Sequence, residues 1–451
     1  MKLVTKILLF MVTCSTFIFN QASPISNSPT THEQKNVRNK KNWTLMVYIA
    51  ADNNLNIFAW GTIRQLAKGA NDNVNIVVQL NEPGRHKKTE RYLIEKNNAI
   101  LLNKDNTKKL DSGDPQTLID FGTWVIQNYP AENYMIVLSD HGSGAIDLDR
   151  HLSRLINPTE LFVLNPSNLM LELDRSISFL DFFEKKEEEL RGICFDENFQ
   201  SYLNNQKLDY AFKKICESQP NFKFNIIGLD ACLMQMIEIS NLIKPYADIL
   251  VASPEVELGP GWRYDTLLKP FSTHNLDPVS FAKHIVKAYE QTYIDITNDY
   301  TLSAIDLHAV DKLEKNINGV AEILIEIMAT QKNGSIKKTV KDCKKNISFE
   351  EPSYIDLTSF YENLLNNISK FNNSNTKAIE LNKKLETELK EGIKLLKSII
   401  LENVRGKNIT YSKGVSIYFP EKTIHNSYIK TSFAQTNQWV NLLLHYINSK
   451  N

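Results

Sequence analysis

A mainly parallel α/β sheet flanked by helices is the fold this sequence predicts, and three features predict it. Short runs of Ile, Val and Leu recur, each closed by a turn signal. Continuous apolar runs of that length are strands buried on both faces, the situation of parallel sheets. Helical stretches fall between the runs, as a doubly wound sheet requires. Two runs, NYMIVLSDHGSG (Asn133 to Gly144) and FNIIGLDACLM (Phe224 to Met234), stop at reactive side chains, His141 and Cys232. Open α/β sheets bind ligands in the loops at the carboxyl ends of their parallel strands. If these two strands are neighbours, a thiol and an imidazole share one edge, which is the raw material of a cysteine hydrolase.

The elements follow in order. WTLMVYIAAD (Trp43 to Asp52) reads as the first strand, with Asn53 and Asn54 as turn residues, and a helix is expected from about Leu55 to Gly69. VNIVVQL (Val74 to Leu80) is the second strand, and the polar, basic stretch Asn81 to Asp114 reads as a hairpin or a long surface excursion. Asp114-Pro115 opens a helix to about Gln127, because proline is preorganised for the first helical position and has no N–H to leave unbonded. The strand ending at His141 follows. Gly144 to Arg191, with Pro158, Pro166 and the charge run EKKEEELR, breaks the rhythm. A connection so long inside a compact domain is usually functional. A helix from about Asn205 to Cys216 leads into the Cys232 strand, and ADILVASPE (Ala247 to Glu255) and TLSAIDL (Thr301 to Leu307) are further strands.

The last third changes character. Ile317, Val320, Leu324 and Ile327 share one helical face, as do Leu381, Leu385, Leu389, Ile393, Leu396 and Ile400, so residues 311–451 read as a mostly helical C-terminal subdomain packed through leucine stripes. KGVSIYFP (Lys413 to Pro420) is a late strand closed by proline.

Lys and Arg number 52, and so do Asp and Glu. Such balance provides no basic field for nucleic acid. Lys2 and Lys6 precede an apolar run, Ile7 to Phe19, too short to span a bilayer, and Ala22 and Ser23 offer a cleavage point. Residues 1–22 therefore read as a signal peptide and 23–41 as a polar lead-in, with export to the periplasm or the exterior expected and no later membrane span. Past the leader four cysteines remain, Cys194, Cys216, Cys232 and Cys343, without the paired spacing of a zinc site. A single disulfide among the three other than Cys232 is compatible with an oxidising compartment, and a buried small hydrophobe is the alternative for each of the three.

A thiol gains nucleophilicity where its thiolate is accessible, which an adjacent imidazole promotes. Gly142 and Gly144 allow the backbone after His141 to approach a substrate closely. The N–H groups of Gly142 and Cys232 are then candidates for an oxyanion hole, where such donors are worth roughly 3–4 kcal/mol. Taken as isolated residues, a cysteine at a strand end such as Cys232 is more often structural, and a histidine such as His141 is often a satisfied turn residue.

The segments LMVYIAADNNL, YMIVLSDHGSG, GICFDE, NIIGLDACLMQMIE, VASPEVELGPGWRYD, LSAIDL and GVSIYFP, in this order from about Trp43 to Pro420, resemble the clostripain family of cysteine peptidases, part of a caspase-like group that also holds gingipains and legumain. The resemblance implies a caspase-like core over 42–310, with Cys232 as nucleophile and His141 as its partner in a dyad. It implies attack on a peptide carbonyl and a thioester acyl-enzyme. Asp230 shares a strand face with Cys232. The resemblance places an acid there, at the floor of the pocket for an Arg or Lys side chain before the cut bond, where a carboxylate forms bidentate bonds with guanidinium.

The loop Ser253 to Asp265 is expected to wall the cleft, with Glu255 and Trp262 as its substrate-binding candidates. The resemblance also implies self-cutting within the 144–191 insertion to give two associated chains. The basic candidates are Arg150, Arg154, Arg175, Lys185, Lys186 and Arg191. Partners are protein or peptide substrates with basic residues. No cofactor is expected. Some relatives respond to calcium, but no EF-hand-like ligand run is present, and Asp147, Asp149, Asp196 and Glu197 are merely acids in the neighbourhood. Two alternatives stay open: the same fold with another specificity, and a non-catalytic exported binding protein.

Overall fold

The computed structural model describes residues 40–104, 108–146, 158–176, 192–330, 334–371 and 376–449. The expected leader and nearly all of the lead-in lie outside the described residues, as do Asp147, Asp149, Arg150, Arg154, Lys185, Lys186 and Arg191.

The strands in chain order are β1 (Lys41–Ala50), β2 (Val74–Asn81), β3 (Glu90–Glu95), β4 (Asn98–Leu101), β5 (Ala131–Ser139), β6 (Phe162–Asn165), β7 (Met170–Leu173), β8 (Ile193–Asp196), β9 (Ser201–Leu203), β10 (Phe224–Asp230), β11 (Ala247–Ala252), β12 (Thr301–Asp306), β13 (Tyr354–Asp356), β14 (Ile400–Arg405) and β15 (Ser416–Tyr418). Nine form one sheet in the order β14-β12-β11-β10-β5-β1-β2-β3-β4. Its centre, from β11 to β2, is parallel; β3 and β4 flank it as an antiparallel hairpin on one side, and β12 and β14 on the other. The central runs are apolar because both faces are covered: Val47, Val77, Val137 and Ile227 are all fully buried.

Helix starts carry the signals their sequences promised. Asp114 accepts from the Gln116 amide ahead of Pro115–Asn128, and Asp277 accepts from the Ser280 amide ahead of Pro278–Tyr293. Each satisfies an orphan donor of the first turn.

The C-terminal region is less separate than its leucine stripes suggest. Helix Thr376–Ile399 does pack on helix Val310–Thr330. At Ile400 the chain turns directly into β14, which extends the main sheet beside β12. Strand β15 pairs instead with β13 in a two-stranded sheet. The stripe read through Ile400 therefore runs one residue past the helix, and a sheet strand follows.

Candidate active site

The β5–β10 pairing sets the site. Asp230 pairs with Ser139 in register, and the Asp140 amide prolongs the ladder to the Asp230 carbonyl at 3.3 Å. Two residues on from that pair stand His141 and Cys232. They occupy matching positions past the carboxyl ends of adjacent strands, whose spacing is about 4.8 Å. The two turns touch: a Cβ on Gly142 would lie 2.5 Å from the Cys232 carbonyl oxygen. That contact is the reason for glycine after the histidine. Leu233, directly after Cys232, has φ +62°, a left-handed conformation unusual for leucine, and strain of this kind gathers at functional sites. Its amide bonds the Glu255 carbonyl at 3.2 Å.

His141 is held from two sides. Its Nε2 lies 2.7 Å from Asn54 Oδ1, and the Phe195 ring meets it edge-on at 6.3 Å. An amide oxygen only accepts, so Nε2 carries the proton and Nδ1 keeps the lone pair. Asp140 faces away and ties the loops together by accepting from Asn53 Nδ2 at 2.7 Å and from the Phe195 amide. Gly142 forms a backbone bridge with Ile193.

Cys232 Sγ accepts from the Glu257 amide at 3.3 Å and lies 3.7 Å from the Glu257 carbonyl. Both side chains are covered, Cys232 at 2% exposure and His141 at 1%. Burial pushes the thiol well above its usual range and the imidazole down to about 3. Burial thus favours the uncharged form of each side chain.

Beside Cys232 is a cavity of about 40 Å³, lined by Asp230, Glu257 and the loop to Gly261, with Phe58 and Thr62 on its other wall. Asp230 accepts from the Trp262 amide at 3.1 Å and the Tyr264 hydroxyl at 2.8 Å. Burial raises its carboxyl to about 7.

Glu255 and Trp262, expected to wall the cleft, stand behind this lining. The Glu255 side chain is fully buried and bonds Arg175 at 3.1 Å and the Glu350 amide at 2.9 Å. The Trp262 ring packs against Gly228, where a Cβ would come within 2.9 Å of it. The cover comes from the long connection: the Gly259 amide donates to Thr159 Oγ1 at 3.1 Å, and Arg175 reaches Glu255. Thr159 and Arg175 bracket the β6–β7 hairpin.

Asn54 and Glu257 are the members that sequence reasoning missed. Asn54 had a turn signal alone. Glu257 lies two residues from Glu255 in the same loop, and only the cavity separates their roles.

Cys194, Cys216, Cys232 and Cys343 are all free thiols. Among the described residues no group of three or more His, Cys, Asp or Glu is placed to hold a metal ion. Asp196 is occupied by the Ser112 amide and hydroxyl and the Phe199 amide. No helix among them is long and apolar enough to cross a membrane.

The sequence profile described as the Clostripain family matches residues 47–157 and 181–446. Clostripain of Hathewaya histolytica is 24% identical over 392 residues, spanning 73% of this chain and 67% of that protein. A secreted C11 cysteine protease from Bacteroides thetaiotaomicron, solved with an irreversible peptide inhibitor, superposes with a TM-score of 0.54 at 17% identity, covering 89% of this chain and 99% of that one. An inactive zymogen C11 protease from Parabacteroides distasonis gives a TM-score of 0.53 at 15% identity, covering 90% and 99%. The match runs through the strands that end at His141 and Cys232 and on across the helical C-terminal region, and the chain belongs to the clostripain family of cysteine peptidases, with a caspase-like fold.

Proposed function

We propose that this chain is an exported endopeptidase that cuts after Arg or Lys, with Cys232 as nucleophile and His141 as its proton-transfer partner. The observation that carries the reading is the β5–β10 register, which sets thiol and imidazole at matching strand ends beside a cavity that holds Asp230. Nδ1 of His141 takes the thiol proton as Sγ adds to the peptide carbonyl. The amides of Gly142 and Cys232 face the oxyanion that forms. The imidazolium then gives its proton to the leaving amine, leaving a thioester that water hydrolyses with the same imidazole as base. Asp230 supplies negative charge to the pocket for the basic side chain.

Export rests on the N-terminal pattern and on the secreted relative from Bacteroides thetaiotaomicron. Self-processing in the long connection is part of the same reading. The hairpin β6–β7 bonds the loop beside Cys232 at both of its ends, and a fold neighbour was solved as an inactive zymogen. A cut on either side of the hairpin would loosen that cover. Arg175 is a poor target because Glu255 holds it, so the cut is assigned to the remaining basic candidates of the connection.

The test is hydrolysis of an Arg-ended fluorogenic peptide together with intact-mass measurement. Cys232→Ala and His141→Ala are expected to abolish turnover, and only chains with Cys232 should shorten with time. Sustained turnover by Cys232→Ala would refute the mechanism. Wild type that stays full length while fully active would refute the processing step.

A further inference from the structure

The family profile passes over residues 158–180, so the β6–β7 hairpin is a part of this chain that the family pattern does not contain. One edge of the hairpin is fastened to the core. The Leu171 amide bonds the Ile296 carbonyl at 2.8 Å, and the Leu173 amide reaches Asp299 Oδ2 at 3.2 Å. Across the hairpin these two residues pair with Leu164 and Phe162. Opposite residues of an antiparallel ladder either exchange both bonds or both point away. The amides and carbonyls of Phe162 and Leu164 therefore point out along the other edge. Among the described residues β7 is the one strand neighbour of β6, so that edge has no ladder partner.

Open edges are ordinarily blunted by charge or proline, and β6, Phe-Val-Leu-Asn, has neither. Val163 and Leu164 are exposed, at 49% and 45%, and so is Leu169 in the turn, at 50%. Glu172, the partner of Val163, is occupied by the side-chain amides of Asn165 and Asn168, at 2.9 and 2.8 Å.

This edge is continuous with the cleft. The Glu257 amide bonds Cys232 Sγ at 3.3 Å, and two residues on the Gly259 amide bonds Thr159 Oγ1 at 3.1 Å. At no more than ~3.5 Å per residue, β6 begins within about 25 Å of the thiol, a span that about eight extended residues cover. Direction follows from the sheet. The hairpin is fixed to residues that follow β11 and precede β12, and β10, which ends at Cys232, lies between β11 and the His141 strand β5. The imidazole serves the leaving amine, so residues after the cut bond depart on the His141 side. Residues ahead of the cut run the other way, toward the hairpin. A second copy of this chain is a poor occupant, because four edge residues bury far less than the roughly 1,000 Å² that a stable interface needs.

We propose that β6 is an exosite to which the substrate adds as a strand. An extended apolar segment, within about eight residues ahead of the cut bond, exchanges backbone hydrogen bonds with Phe162 and Leu164, while Val163 and Leu164 select apolar or β-branched side chains. The proposal rests on Cys232 as the nucleophile.

The test uses the full chain and two fluorogenic peptides. One is short, with Arg before the cut; the other adds about ten residues rich in Val and Thr at its amino-terminal side. The longer peptide is expected to have a kcat/KM about 10- to 100-fold higher, mainly through KM. Leu164→Pro deletes an outward amide while leaving the β7-facing bonds, as edge positions allow, and should bring the long-to-short ratio near one. Should that variant not fold, N-methylation of the extension residue by residue serves on wild type. Only every second amide faces the edge, so alternate positions should lose about 2- to 10-fold. Equal rates on both peptides, an unaltered ratio in folded Leu164→Pro, or N-methyl losses without alternation overturn the exosite. So does a gain seen only with carboxyl-terminal extension, or one that grows with enzyme concentration, which marks a second copy as the occupant. In each of these cases continued cutting leaves the peptidase reading standing. Failure of wild type to cut either peptide overturns that reading, and the exosite with it.

Discussion

Asn54→Ala is the sharpest probe of how His141 is held. The change removes the 2.7 Å acceptor of Nε2 next to a ring that is 1% exposed. A buried donor left unbonded costs about 1–3 kcal/mol. If that loss falls on the reacting geometry, kcat drops by about 10- to 100-fold, since each 1.4 kcal/mol is a factor of ten. Because the bond orients the imidazole and does not contact the substrate, KM should stay within about twofold.

Asn54→Asp tests the electrostatic side of the same contact. Burial holds the imidazolium down to about 3. A carboxylate about 4 Å from the ring charge is worth on the order of 4 kcal/mol at an effective dielectric of 20, less the cost of burying it. The His141 pKa therefore rises. The proposed mechanism uses the neutral ring as base, so the acid limb of the rate profile is expected to move to higher pH, by about one to two units. The assay is hydrolysis of an Arg-ended peptide across a pH range that reaches below the wild-type acid limb near 3 and up to neutral pH, for wild type and both variants. Full kcat in Asn54→Ala, with an unmoved acid limb in Asn54→Asp, would show that the contact has no part in positioning the ring.

Three further outcomes follow from residues other than Cys232 and His141. Burial raises the Glu238 carboxyl to about 7; the folded chain therefore keeps a proton that the unfolded chain loses near pH 4.5. Stability contributed by Glu238 is thus full below about pH 4.5, falls as pH rises to about 7, and is level above that. Glu238→Gln should accordingly be more stable than wild type at pH 8, by about 3 kcal/mol at most, and close to it at pH 4 by urea melts; a pH-independent difference contradicts this. Arg175→Gln leaves the Glu255 carboxylate without its cation, and since Arg175 is 41% exposed the cost is discounted to about 1–2 kcal/mol. A double-mutant cycle with Glu255→Gln that shows no coupling would remove the ion pair from the account. Gly261→Ala adds a Cβ at φ +63° against Asp230, at a backbone cost of about 1–2 kcal/mol; a lower melting temperature and a raised KM for Arg peptides are expected, and neither change would mean the loop sits elsewhere.

The strands that end at His141 and Cys232 were legible because burial on both faces writes a continuous apolar run into the sequence. Their matching ends were not, since register is a property of two strands and neither segment encodes it alone. Asn54 illustrates the limit from the other side. An asparagine after a strand announces a turn, and its bond to a ring 87 positions on depends on how β1 and β5 pair. Strand β14 was hidden because Ile400 completes the leucine periodicity of the preceding helix while starting a strand. Glu255 and Glu257 have the same parity and composition around them; an arginine from the hairpin takes one, and the cavity receives the other.

The order of strands has a consequence for any molecule nicked between β5 and β10. The break divides the sheet down its middle, since β5 lies between β10 and β1. Each fragment expressed by itself would bare a long apolar edge with unpaired amides, the kind of surface that drives aggregation. The halves must therefore mature as one polypeptide before scission, and afterwards they separate only under denaturants, eluting as a single species in native gel filtration. Scission here alters covalent connectivity while leaving the cooperative unit whole.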